Sequence, residues 1–193
     1  NTMFTDICFT NMSTNIHQPK VTLFQRNLFG NINQMLAWKV INNCNYQWTH
    51  PFRINWAYEY QLFDAYGNVS AINSLFAKNK PNMGNGGIAI NHQSDHVIFQ
   101  KTMENKVEGI NLIKNKRIIA AQKIDFNNQV KFELSTTVYI CADLRAQQGE
   151  PIHPHDLNVS LNKLDICENK KINLIMQGGQ PGKFSKPLKF LIR

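Results

Sequence analysis

Residues Ile54, Trp56, Tyr58, Tyr60 and Leu62 are all apolar or aromatic, and Arg53, Asn55, Ala57, Glu59 and Gln61 alternate with them. Successive side chains of an extended chain point to opposite faces, so a period of two marks a half-buried β-strand. Here its inner face is heavily aromatic. The Gly67-Asn68 dipeptide that follows suits a reversal.

The same period recurs along the chain. Strands are predicted at 5–10, 21–26, 35–41, 88–90, 96–101, 110–113, 117–121, 130–134, 137–142, 172–176 and 188–192. Leu157, Val159 and Leu161 add a further alternating run. Lys114-Asn115-Lys116 reads as a tight hairpin with Asn at positive φ. No long i, i+3, i+4 stripe is present, although 31–39 and 143–148 are each predicted to hold a short helix. About a dozen short strands with regular turn signals predict an all-β, antiparallel two-sheet β-sandwich, with a jelly roll as one version. Parallel pairing would show continuous apolar runs instead of alternation. No linker divides residues 1–193, which read as a single β-sandwich domain. The longest loop is expected at 79–87. Val21–Asn27 echoes His96–Thr102, pairing Phe24 with Phe99, as two equivalent strands would.

Charge bears on partners. The 193 residues carry 21 Lys+Arg against 13 Asp+Glu, a formal +8. The excess lies mostly after residue 100. Lys183, Lys186, Lys189 and Arg193 form an acid-free basic tail, a candidate contact for an anionic surface or membrane. The plainer reading is a strand edge that Lys keeps from pairing with other chains. No apolar run reaches the ~18 residues of a membrane helix, so no transmembrane segment is expected.

Cys8, Cys44, Cys141 and Cys167 are too scattered for a disulfide framework, and none forms a C-x-x-C pair. Cys141 sits in an apolar run and reads as a small core residue, whereas Cys44 reads as the most exposed. Reduced thiols and a cytoplasmic address are the default expectation. Secretion stays open, because the chain starts at Asn1 and a leader could have been removed.

Sequence signals for catalysis are sparse. There is no Walker-type G-x-x-x-x-G-K-[ST], no G-x-G-x-x-G opening a helix, no G-x-S-x-G and no H-E-x-x-H. No cofactor is expected. The best metal candidate is His153, His155 and Asp156. Alternate residues of an extended chain share a face, so two imidazoles could reach one ion. A third ligand would come from His92, His96 or His50. Asp64, Tyr66 and Asn68 match only the start of a calcium loop. Cys44 and His50 are close in sequence, yet a packed structural thiol is the plainer reading.

Binding suits this composition better. Trp48, His50 and Phe52 lie in a predicted loop before the aromatic strand, where exposed rings could stack on carbohydrate or sit at a lipid boundary. The competing reading folds Trp48 and Phe52 inward over the core. Nucleic acid is disfavoured, since no run of basic and aromatic residues supports it. The 25 Asn residues offer polar contacts to a ligand or between subunits. The sequence therefore points to a non-enzymatic β-sandwich protein in binding or self-assembly, expected as a homo-oligomer. The alternatives are a basic cytolysin-like membrane-binding protein and a metal-dependent all-β enzyme using His153 and His155.

Overall fold

The computed structural model describes residues 4–14, 19–25, 35–75, 83–84, 87–93, 96–134, 137–153, 155–156, 162–166, 170–179 and 187–193. Among them there is no α-helix. The strands are β1 (Phe4–Asn11), β2 (Val21–Phe24), β3 (Lys39–Ile41), β4 (Thr49–Asn55), β5 (Tyr58–Asp64), β6 (Asn73–Ser74), β7 (Met83–Gly84) and β8 (Ile88–His92). They continue with β9 (His96–Lys101), β10 (Val107–Lys114), β11 (Arg117–Lys123), β12 (Gln129–Glu133), β13 (Thr137–Ala142), β14 (Asn162–Asp165), β15 (Lys171–Gln177) and β16 (Lys189–Ile192).

These form four sheets, in the orders β16-β15-β1-β4, β11-β10-β5-β6, β12-β9-β8-β7 and β14-β13-β2-β3. Among the described strands, pairing is antiparallel with one exception: β1 runs parallel to β15, from Asp6 opposite Lys171 to Asn11 opposite Met176. Antiparallel alternation was the expected rule, and this pair departs from it, the long stretch of chain between β1 and β15 leaving room for the crossover that parallel strands need. All four sheets contribute to one apolar core, with Phe9, Phe24, Phe99 and Phe132 fully buried. Phe99 packs edge-on against Phe132 at 5.8 Å between ring centres, and Tyr60 lies 5.6 Å from Phe99. Such offset and edge-on ring pairs add stability beyond the area they bury.

The aromatic run 54–62 is the main correction to the predicted elements. It is two strands in two sheets, with the chain turning at Trp56-Ala57. The Asn55 side chain accepts a hydrogen bond from the Ala57 amide at 3.0 Å, a local bond that competes with the ladder and redirects the strand. Ile54, Tyr58, Tyr60 and Leu62 stay buried on both sides of that turn, so the period survives the break.

Residues 143–148 form no helix, and Met35 and Leu36 make isolated bridges to Ala120 and Pro151 instead. The predicted hairpin is present. Asn115 and Lys116 both adopt positive φ between the paired Lys114 and Arg117. The echoing segments are β2 and β9, each in the interior of its sheet with a buried Phe. The run 157–161, residues 31–34 and most of 79–87 lie outside the described residues.

Candidate functional site

The segment from Asn42 to Trp48 crosses from β3 to β4 over the end of β1. Its shape is held by Asn11, a side chain 1% exposed at the end of β1. Asn11 Nδ2 donates to the Cys44 carbonyl at 2.7 Å, and its Oδ1 accepts from both the amide and the hydroxyl of Ser13. The Asn11 backbone joins in, its amide donating to the Trp48 carbonyl at 3.1 Å and its carbonyl accepting from the Gln47 amide at 2.7 Å. Within the loop the Trp48 amide closes a turn onto the Asn45 carbonyl at 2.9 Å.

Two residues pay for this path. Asn43 and Gln47 sit at φ 53° and 67°. Gln47 occupies the third position of the Asn45–Trp48 turn, where positive φ is ordinarily left to Gly or Asn. Non-glycine residues there cost roughly 1 kcal/mol or more, and such strain gathers at functional sites. The outcome is that Trp48 is 63% and Tyr46 51% exposed, on a loop tied at both ends and in the middle.

The three predicted ligand residues therefore separate. Trp48 faces solvent. His50 and Phe52 lie in β4 rather than a loop, half-buried, with their rings 6.1 Å apart. Phe52 packs edge-on against buried Trp38 at 6.4 Å, and the Lys39 ammonium stands 5.5 Å from its ring centre. Burial, aided by Lys39, pushes the His50 imidazole below its ordinary pKa and so favours the neutral form. The Cys44 thiol donates to the Trp48 carbonyl at 3.4 Å, and burial raises its pKa. A thiol with raised pKa is a poor nucleophile. Cys8, Cys44 and Cys141 are free thiols, and Cys167 lies outside the described residues.

His153 and His155 do come together, their rings 5.6 Å apart and 13° from parallel. His155 Nε2 is 3.5 Å from Asp156 Oδ1. Among the described residues no group of three His, Cys, Asp or Glu is arranged to hold a metal.

Lys189 is exposed on β16, the edge strand of its sheet, and Arg193 is exposed just beyond it. Arg193 exchanges backbone hydrogen bonds with Asn173 at 2.9 and 3.1 Å. Lys183 and Lys186 lie outside the described residues. Asp64, Tyr66 and Asn68 form a closed turn, with Asp64 Oδ1 accepting from the amides of Tyr66 and Asn68. Asn11 is the site residue that sequence reasoning missed, because an inward Asn at a strand end looks like any other of the many Asn residues. No helix among the described residues is long and apolar enough to cross a membrane. Comparison with family models, curated proteins and solved structures gives no match to this chain.

Proposed function

We propose that the chain is a non-enzymatic β-sandwich whose task is binding, with the loop from Asn42 to Trp48 as its contact surface. The observation that carries this reading is the strained, Asn11-tied loop presenting Trp48 and Tyr46 to solvent. A Trp side chain held rigidly in water forgoes burial, and recovers it when a ligand covers the ring. The sandwich part of the reading draws support from the single apolar core to which all four sheets contribute.

The test compares the full chain with Trp48→Ala on immobilised glycans, heparin, single-stranded DNA and lipid vesicles. Retention on any of these that Trp48→Ala removes supports the reading. Retention that ignores the substitution, or none at all, overturns it. Membrane engagement would register as retention on vesicles alone. Sizing at several concentrations, for wild type and Trp48→Ala, reports whether the covering ligand is a second copy of the chain.

A further inference from the structure

A cavity lies on the outer face of the sheet β11-β10-β5-β6. Tyr58, Tyr60 and Leu62 of β5 are buried in the core, so Glu59, Gln61 and Phe63 share the opposite face. A large apolar ring in that row is out of pattern, and the local structure makes room for it. Gly109 lies opposite Phe63 on β10, where a Cβ would run into the Phe63 ring. The register of β10 shifts between Val107 and Gly109, and such bulges gather beside functional sites. The chain after β5 then folds back: Val69 bridges to Phe63, and the Ser70 amide donates to the Leu62 carbonyl at 2.9 Å. Leu62, Phe63, Val69 and Val107 thereby wall a cavity of about 230 Å³, its surface nearly all carbon.

Opposite charges stand at its rim. Lys106 lines the cavity from the β9–β10 connection, and Asp64 from the end of β5. The backbone around each is tied down. The ammonium of Lys101, a buried residue, donates to the carbonyls of Asn105 and Val107 at 3.3 and 2.7 Å, fixing the chain on both sides of Lys106. Asp64 Oδ1 accepts from the amides of Tyr66 and Asn68, and its Oδ2 accepts from Asn68 Nδ2 at 2.8 Å. The Asn68 side chain, those amides and the Lys106 charge hold the Asp64 carboxyl below its ordinary pKa, so it is ionised at neutral pH. A carboxylate offers about four lone-pair positions, which leaves one on Oδ2 for a ligand, and the exposed Lys106 ammonium carries N–H donors.

Size and charge together select a ligand. A cavity of about 150 Å³ already admits benzene, whereas drug-sized ligands take about 300 Å³ or more. This one suits a single aromatic ring or a branched aliphatic chain. We propose that it binds a free apolar α-amino acid, the side chain lying among Phe63, Val69 and Val107, the carboxylate on Lys106 and the ammonium on Asp64. A purely apolar guest would leave both charges unused, and a simple carboxylate would face Asp64 without a compensating cation of its own. Trp48 does not line this cavity, so the site is independent of the aromatic loop.

Isothermal titration calorimetry on the full chain tests the assignment, with L-phenylalanine and L-leucine as ligands and phenylpropanoate, phenethylamine and glycine as partial ligands. Circular dichroism verifies that each variant is folded. The expected result is saturable one-to-one binding of at least one of the two amino acids, the same in wild type and Trp48→Ala. Each partial ligand, and the substitution Lys106→Met, should weaken binding by at least about tenfold, as the loss of a charge-assisted hydrogen bond or of the apolar body requires. Binding of neither amino acid overturns the assignment. So does phenylpropanoate or phenethylamine binding as tightly as phenylalanine, or affinity indifferent to Lys106→Met. Loss of binding in Trp48→Ala would place the ligand on the aromatic loop and overturn it as well.

Discussion

Lys114 is 1% exposed, and its ammonium stands 3.9 Å from the centre of the Trp56 ring and 4.4 Å from that of Tyr58. It also donates to the Tyr58 hydroxyl at 3.1 Å and to Gln25 Oε1 at 3.3 Å. A buried charge is tolerated only where such partners replace water. Lys114→Ala is expected to lose about 3 kcal/mol in denaturant unfolding, through the emptied volume and the lost hydrogen bonds to Gln25 and Tyr58. A loss below about 1 kcal/mol would show that the cluster contributes little. Tyr58 itself is pushed up to about 12, chiefly by burial, from an ordinary 10.0. Its proton is held more tightly in the folded state, so its contribution is complete below pH 10 and disappears as pH rises through 12. Unfolding free energy should therefore drop by up to about 3 kcal/mol across that window. Absorbance titration at 295 nm checks it: one of the five Tyr should ionise last and together with unfolding. None of this was legible at the residue scale. Lys114 precedes a hairpin turn, where an exposed Lys is the ordinary expectation, and only the fold brings Trp56 and Tyr58 over it. The exposure of Trp48 was equally hidden, since inward and outward aromatic rings look alike in a sequence.

At the scale of elements the period of two carried most of the information. It placed β1, β9, β12 and β13 within a residue or two of their observed bounds, and it kept Ile54, Tyr58, Tyr60 and Leu62 on the core side. It could not locate the boundary between β4 and β5, because one side-chain bond from Asn55 interrupts the ladder without disturbing the alternation. The predicted loop at Trp48–Phe52 erred for a related reason. Pro51 reads as a strand breaker, yet among the described residues β4 pairs with β1 alone and is the edge of its sheet, where a missing amide is harmless. The β10–β11 hairpin offers a direct test of local geometry. Both turn residues have positive φ, which Asn115 accommodates and Lys116 does not. Lys116→Gly should raise stability by about 0.5–1 kcal/mol with no change in far-ultraviolet circular dichroism. A loss of stability would mean that the Lys side chain contributes more than its backbone conformation costs.

Over the whole molecule, all-β architecture and a shared core were readable from the sequence, while the arrangement into four sheets was not. Which strands neighbour one another depends on contacts between distant segments, and alternation is silent about partners. Phe9 lies opposite Leu174, and Thr22 opposite Cys141. Closing such large loops before any contact forms is slow, so refolding is expected in the millisecond-to-second range typical of all-β domains. Stopped-flow tryptophan fluorescence checks this, and a dominant phase faster than about a millisecond would contradict it. The parallel pair has a further consequence for a chain made from one end. When β1 leaves the ribosome its antiparallel partner β4 follows soon after, but the opposite side of β1 must wait for Lys171–Gln177. Until that segment emerges the nascent chain exposes an open strand flank bearing Ile7 and Phe9, and a stalled or prematurely terminated product would keep that flank available to any other extended chain.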